Sequence, residues 1–280
     1  MSSLSWKPEA EAALRRVPFW VRPLVRRKVE ERVAARGGRE VTAGDFAEAE
    51  ARFRAVAGGR GGRELAAMLP EPNRPGVEMV HLQVCRAVLA ECPNRLVDTE
   101  PWQRTVEAWL QRDEVSERLR SRVREERILF HHKLRIALSG CPNGCSRPQI
   151  ADLALVGFVR PRLLEQECLA CGACLEVCPD GAVTLEGELP RFDRGACLGC
   201  QRCHRACEAG AIQLGPPAMR LYMGGKLGRH PHLARVVAEV ADPAEAVARM
   251  SRAVEAFLSR ARPGERFAAW WIRTAGGGET

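Results

Sequence analysis

HKLRIALSGCPNGCSRPQIADLALVG, residues 132–157, sets the architecture. Its first half alternates apolar and polar side chains and predicts a strand over 133–140, and ADLALVGF (151–158) predicts another. Between them only Pro142, Asn143 and Gly144 separate Cys141 from Cys145, so two thiols share one rigid turn. Upstream, Val80, Leu82 and Val84 alternate in EMVHLQVC and predict a strand ending at Cys85, followed by a loop carrying Cys92. Two strand ends thus present four thiols, Cys85, Cys92, Cys141 and Cys145, enough to hold one iron–sulfur cube.

The chain has 280 residues, 46% hydrophobic and 28% charged, a composition that suits a folded globular protein. Twelve cysteines would make a disulfide framework only in a short secreted chain. This one opens MSSLSWKPEAEAALRR, without the apolar core of a signal peptide, so the thiols are expected reduced and the protein cytoplasmic. No apolar run reaches the roughly 18 to 20 residues of a membrane span. The net charge of +8 is carried by arginine, because Lys7, Lys28, Lys133 and Lys226 are the only lysines. Arginine forks suit carboxylates and phosphates, but no basic patch interleaved with aromatics points to nucleic acid.

Residues 1–56 read as a small all-helical domain. Pro18 and Pro23 mark helix starts or kinks, and Thr42 caps a helix to about Arg54 bearing Phe46, Ala49 and Phe53 on one face. Residues 57–76, with AGGRGGRE and LPEPNRPG, read as a linker. Residues 77–160 and 218–273 form a discontinuous α/β domain with helices predicted over 101–126 and about 243–260. Residues 161–217 interrupt it as a cysteine-rich insert, and the fold class expected is α+β.

Within the insert, Cys168, Cys171, Cys174 and Cys178 followed by Pro179 make C-x2-C-x2-C-x3-C-P, and Cys197, Cys200, Cys203 and Cys207 repeat that spacing 29 residues later. Gly181–Leu185 (GAVTL) and Gly210–Leu214 (GAIQL) match in the same register, so the segment is a duplication. Four-cysteine zinc sites usually come instead as separated C-x2-C pairs. The insert resembles a bacterial two-cluster ferredoxin, in which the fourth cysteine of each run crosses to the other cluster. The resemblance implies one 4Fe-4S cluster on Cys168, Cys171, Cys174 and Cys207 and another on Cys197, Cys200, Cys203 and Cys178. Glu208 stands where that family usually has proline.

The stretch 132–157, in turn, resembles the second cluster loop of the siroheme-dependent sulfite and nitrite reductase family. That resemblance implies a third 4Fe-4S cluster on Cys85, Cys92, Cys141 and Cys145, with Cys145 bridging to the siroheme iron. Asn143 matches the asparagine packed against the macrocycle, and GGKLGRHP (224–231), with Gly224, Gly225, Lys226 and Arg229, matches the glycine-rich segment lining it. Arg86, Arg95, Lys226 and Arg229 are basic groups suited to siroheme's carboxylates. The resemblance implies six-electron reduction of a small oxyanion, sulfite or nitrite, fed by an external electron donor protein through the built-in ferredoxin. Two departures stand out. CRAVLAEC is C-x6-C where the family has C-x5-C, and the preceding half domain that binds the oxyanion is not found. Oxyanion-binding groups are then expected from a partner subunit or from local candidates such as Arg86, Arg95, His131, His132 and Lys133.

The N-terminal stretch WKPEAEAALRRVPFWVRPLVRRKVEERVAARGGREVTAGDFAEA resembles the small C-terminal domain of light-independent protochlorophyllide reductase, which lies near a tetrapyrrole. A helical docking or dimerisation module, making a homo-oligomer or holding a partner, is the other reading of it. Two other functions share the cysteines: an electron-transfer protein without siroheme turnover, and a redox sensor or scaffold.

Overall fold

The computed structural model describes residues 4–17, 19, 22–57, 70–85 and 92–275. The chain divides into two units, Met1–Pro70 and Glu71–Thr280.

In the first unit, strand β1 (Ser5–Trp6) leads into helix α1 (Pro8–Arg15), α2 (Arg22–Ala35), β2 (Glu40–Val41) and α3 (Ala43–Ala57). Pro8 opens α1, where a missing amide costs nothing, with Glu9 and Glu11 in the first turn. β1 and β2 pair in parallel, and Ala10, Val29, Val33 and Val41 form the buried centre. Thr42 does cap α3: its hydroxyl accepts from the Asp45 amide at 3.3 Å, and Asp45 accepts from the Thr42 amide at 2.7 Å. Pro23 lies in the first turn of α2. Pro18 and the side chain of Phe53 lie outside the described residues. The charged face of α2 is laced by ion pairs, including Arg26 with Glu11 at 2.6 Å and Lys28 with Glu31 at 2.8 Å.

The second unit begins within the expected linker, because β3 (Glu71–Pro72) already pairs with a later strand. Then come β4 (Val80–Val84), helices α4 (Glu100–Arg112) and α5 (Val115–Arg120), β5 (Arg127–Ile128, the partner of β3), β6 (Leu134–Ser139) and β7 (Leu153–Phe158). The insert contributes β8 (Pro161–Leu163), α6 (Ala173–Glu176), β9 (Val183–Glu186), β10 (Leu189–Phe192), α7 (Arg202–Ala206) and β11 (Ile212–Leu214). The chain returns through β12 (Ala218–Met223) and β13 (Arg235–Val240) to α8 (Pro243–Arg260) and α9 (Phe267–Ala275). The single helix expected over 101–126 is two, because Glu114 adopts a left-handed backbone with φ 48°.

β13-β12-β7-β6-β4 make one mixed sheet in which β4, β6 and β7 are parallel and β12 and β13 antiparallel. Ile136, Leu138, Leu153, Leu155, Met219 and Leu221 form one core with Trp102, Val106 and Trp109 of α4 and Val247, Met250, Val254 and Phe257 of α8. Small residues line a second cluster of Ala137, Ala151 and Ala154, where the 140–152 crossover passes. In the register Ser139 faces Val156, so the cysteine loop after β6 and the insert after β7 leave the sheet at the same end.

α9 is fastened at its start by Glu265, which accepts from Arg273 at 2.8 Å through each oxygen and from the Arg262 amide at 2.9 Å. The Arg273 hydrogen bonds lead in bringing its carboxyl from 4.5 down to about 2. A carboxylate depressed by folding adds stability above its unfolded value, and that stability is lost as pH falls through the folded value. Glu265→Gln is therefore expected to destabilise the chain at pH 7 by about 1–2 kcal/mol, the exposure of Arg273 trimming the gain. The gap in thermal midpoint between parent and variant should narrow from about pH 4.5 toward pH 2.

Candidate metal centres

The insert folds its duplicated runs round two voids that open to solvent, their volumes including the space at the mouth. Cys168, Cys171, Cys174 and Cys207 line one of about 400 Å³, together with Leu169, Leu185 and Glu188. Cys178, Cys197, Cys200 and Cys203 line another of about 350 Å³ with Phe192 and Gly199. Each void thus collects three thiols of one run and the fourth of the other. Burial leads in pushing the Cys203 thiol up to about 12, with the Cys197, Cys200 and Cys174 thiols adding to it. Cys174 packs in one cluster with Cys178, Cys203 and Cys207, so the two voids are neighbours. The Ala182 amide donates to the Cys178 sulfur at 3.3 Å. Among the described residues no three Cys, His, Asp or Glu side chains converge on a single-ion position. Each set of four thiols surrounds a hollow, an arrangement that suits a multi-iron cluster.

The other four cysteines meet at the neighbouring sheet end. Cys85 follows β4 and Cys141 follows β6, parallel neighbours, and both are buried. The Cys85 amide donates to the Leu138 carbonyl at 2.9 Å, and the Gly140 amide donates to the Cys85 sulfur at 3.3 Å. Burial pushes the Cys141 thiol up, the Asn143 amide opposes that, and the Cys145, Cys92 and Cys85 thiols reinforce it. Each of the other three thiols is therefore close enough to act on Cys141. Below the turn, Ser139 and Ser146 share a buried hydroxyl hydrogen bond of 2.6 Å that ties the loop to β6. Cys145 alone of the four is exposed, so its sulfur is the one free to touch a second group.

The glycine-rich segment packs on the same crossover. The Gly224 amide donates to the Asp152 carbonyl at 2.9 Å, the Ala234 amide to the Gln149 carbonyl at 2.8 Å, and Lys226 and His232 exchange backbone bonds of 2.8 and 2.9 Å. Lys226 is half-buried, and Asn143 and Arg229 are exposed. Arg95 is exposed on the loop whose Leu96 and Val97 amides both donate to the Gly140 carbonyl at 3.0 Å. Arg86 lies outside the described residues.

Three local candidates stand elsewhere. Lys133 is buried at the start of β6, with its ammonium 2.8 Å from Glu71, and β6 puts about 20 Å of strand between it and the cysteine turn. His131 and His132 are on a 3-10 turn before β6, with their rings 4.3 Å apart and the His132 Nδ1 accepting from the Leu129 amide at 3.2 Å. These side chains anchor the opposite end of the sheet.

A basic group that sequence reasoning missed lies beside the crossover. Burial holds the Arg135 guanidinium below its ordinary value, Asp152 counters, and Arg266 and Arg147 are near enough to add to the lowering. Arg135 donates to the Ile150 carbonyl, yet its buried Nε makes no hydrogen bond and stands 4.0 Å from Asp152 Oδ2. Asp152, wholly buried, accepts from the Arg135 amide at 2.8 Å and the Ala268 amide at 3.2 Å. Alternation placed Arg135 on the Ala137 and Ser139 face, but nothing local predicts that Arg147 and Arg266 join it.

Residues 79–278 match the family described as the nitrite and sulphite reductase 4Fe-4S domain. Residues 6–50 match one described as the proto-chlorophyllide reductase 57 kD subunit. A Coenzyme F420-dependent sulfite reductase of Methanocaldococcus jannaschii is 43% identical over 149 residues, 51% of this chain and 22% of that protein. One subunit of the anaerobic sulfite reductase of Salmonella typhimurium is 36% identical over 52 residues, 19% of this chain and 15% of that one. This chain thus spans about a fifth of the length of the first relative. The crystal structure of dissimilatory sulfite reductase I is similar over 69% of this chain and 49% of its own, at 16% identity and a TM-score of 0.47. Among the described residues no helix is long and apolar enough to cross a membrane.

Proposed function

The chain belongs to the nitrite and sulphite reductase 4Fe-4S domain family, and from that premise we propose that it is a siroheme and iron–sulfur oxidoreductase, or a subunit of one, reducing sulfite or nitrite by six electrons. The observation that carries the reading is the meeting of Cys85, Cys92, Cys141 and Cys145 beside an insert whose other eight thiols surround two voids. The donor set fits: each group offers four thiols, and amides at Gly140 and Ala182 stand ready to stabilise charged sulfur.

Cys168, Cys171, Cys174 and Cys207 would hold an outer cluster, and Cys178, Cys197, Cys200 and Cys203 an inner one. Cys85, Cys92, Cys141 and Cys145 would hold the third, and the exposed Cys145 would share its sulfur with siroheme. Siroheme, when bound there, would supply an iron able to bind a small oxyanion and deliver electrons to it. Lys226, Arg229 and Arg147 offer forks and an ammonium for its carboxylates, and the crossover carrying Asn143 gives one wall. Oxyanion binding and protonation fall to Arg86, Arg95 or a partner subunit, because Lys133 is paired with Glu71.

Anaerobic purification with iron and sulfide counting tests this: three clusters and one siroheme give about 13 irons and a tetrapyrrole spectrum. About 12 irons without that spectrum, after growth with ample siroheme, would leave an electron-transfer protein. Cys178→Ser separates crossed from serial ligation. It is expected to break the cluster of the Cys197 run while the signal of the Cys168 run survives, read by electron paramagnetic resonance of the reduced protein. Loss of the Cys168-run signal alone would mean serial ligation.

A further inference from the structure

We propose that electrons enter at the outer end of the insert, where Leu169 and Leu185 rim the Cys168/Cys171/Cys174/Cys207 void, and that this rim docks a one-electron carrier protein presenting basic residues round its own cofactor. The proposal rests on the cluster assignment above. Leu169 is 75% and Leu185 50% exposed, although both line the void. Isolated exposed leucines are ordinary, but two at the mouth of one thiol-lined void make an apolar contact point.

Charge selects the partner. From Leu163 to Pro190 the chain carries Glu165, Glu167, Glu176, Asp180, Glu186 and Glu188 and no lysine or arginine, on a chain of net charge +8. Arg191 pairs with Glu165 at 3.2 Å and Glu186 at 2.7 Å. Glu167, next to Cys168, and Glu188, in the lining of the void, are exposed and make no ion pair among the described residues. From Arg191 onward the balance reverses, with Arg191, Arg194, Arg202 and Arg205 against Asp193 and Glu208 up to Pro217.

That basic half faces the sheet domain. The Val159 amide donates to the Gly199 carbonyl at 3.1 Å, and Arg220 to the Cys197 carbonyl at 3.0 Å. Arg205 donates to the Pro93 carbonyl and, at 3.2 Å, to Asn94 Oδ1, beside Cys92. The contact leaves no slack, since a Cβ on Gly199 would lie 2.4 Å from the Val159 carbonyl oxygen. Both voids are lined by residues of the insert, but Cys197 and Gly199 of the inner one are also the residues bonded to the sheet domain. The order is thus outer void, inner void, then the Cys92 loop. In each encounter the carrier's cofactor loses one electron and the outer cluster gains it, with no atom or proton exchanged. At physiological salt, charges beyond about 8 Å are screened, so the local acids rather than the net charge decide docking.

Cytochrome c, a basic one-electron haem protein, is the probe. The full chain with its clusters, reduced and freed of excess reductant, is mixed anaerobically with oxidised cytochrome c at physiological ionic strength, and haem reduction is followed by stopped flow. Electrons then leave by the surface through which they enter. Glu167→Lys/Glu188→Lys is expected to slow the second-order rate about tenfold, and Leu169→Asn severalfold. Glu125→Lys/Glu126→Lys, beside β5, should change it less than about twofold. Oxidation by neutral riboflavin should be the same in all, which excludes damaged clusters. An equal rate in the parent and the Glu167/Glu188 variant, or an equal loss in the Glu125/Glu126 control, overturns the proposal. A chain lacking cluster absorbance before mixing would instead overturn the cluster assignment.

Discussion

Cys145→Ser is expected to lower the iron content from about 13 to about 8 per chain, by losing one cluster of four and the siroheme, and to cut sulfide production at least about a thousandfold. The size of the effect follows from the position of the thiol. Cys85 and Cys141 are buried and Cys92 is half-buried, whereas Cys145 is exposed at the far side of the Pro142–Gly144 turn. It is the one sulfur of the four placed to serve two metals, so one substitution removes both. A serine hydroxyl is nearly the same size but a poor donor to soft iron. The loop itself should persist, because the Ser139–Ser146 hydroxyl pair and the Gly140 amide bond to Cys85 do not involve residue 145. The absorption of the insert should likewise remain, since its eight thiols belong to residues 168–207. Sulfide production above a tenth of the parent, with the iron content unchanged, would exclude Cys145 as a shared ligand.

Much of this arrangement was legible because cysteine spacing and strand alternation are local signals. The duplicated runs of the insert and the two strand-end pairs can be read from one line of sequence, and so can the strands that carry them. Less was legible where tertiary contacts override local pattern. Glu114 breaks the 101–126 helix with a left-handed backbone although neither glycine nor proline marks the place. RVVAEV becomes the edge strand β13 with adjacent Val236 and Val237 both exposed and only Ala238 and Val240 packed on the core, too short an apolar row to announce it. Lys133 was a candidate on charge and nearness in sequence to the cysteine turn. A strand carries its two ends apart, however, and the remote Glu71 neutralises it. The Arg135, Arg147 and Arg266 group was invisible for the complementary reason: its members come from a strand, a turn and the start of α9, joined only by the folded chain. C-x6-C was legible as a departure, but residues 86–91 lie outside the described part.

Gly225→Ala separates siroheme binding from cluster assembly. The Cβ it adds would lie 2.5 Å from the Ala151 carbonyl oxygen and 2.6 Å from that of Gln149. Both obstacles are backbone, so no side chain can swing away. The segment cannot retreat cheaply, because Gly224 is bonded to Asp152 at 2.9 Å on one side and Ala234 to Gln149 at 2.8 Å on the other. Relief therefore means breaking one of these bonds and tilting the Lys226–His232 ladder away from the crossover, at about 1–3 kcal/mol for overpacking. That tilt moves Lys226 and Arg229, the groups assigned to siroheme, while the added methyl touches the crossover only at Gln149 and Ala151, beyond Cys141 and Cys145. The expected result is a protein with about 12 irons, three intact clusters, a weakened tetrapyrrole band and sulfite reduction lowered about a hundredfold. Gly228→Ala is the matched comparison. Nothing lies within 4 Å of the Cβ it would add, and only its φ of 109° opposes a side chain. It should lose about 1 kcal/mol of stability to backbone strain and keep its siroheme. Equal siroheme loss in both variants would trace the effect to general loosening of the segment, and retention in Gly225→Ala would place the macrocycle away from this wall.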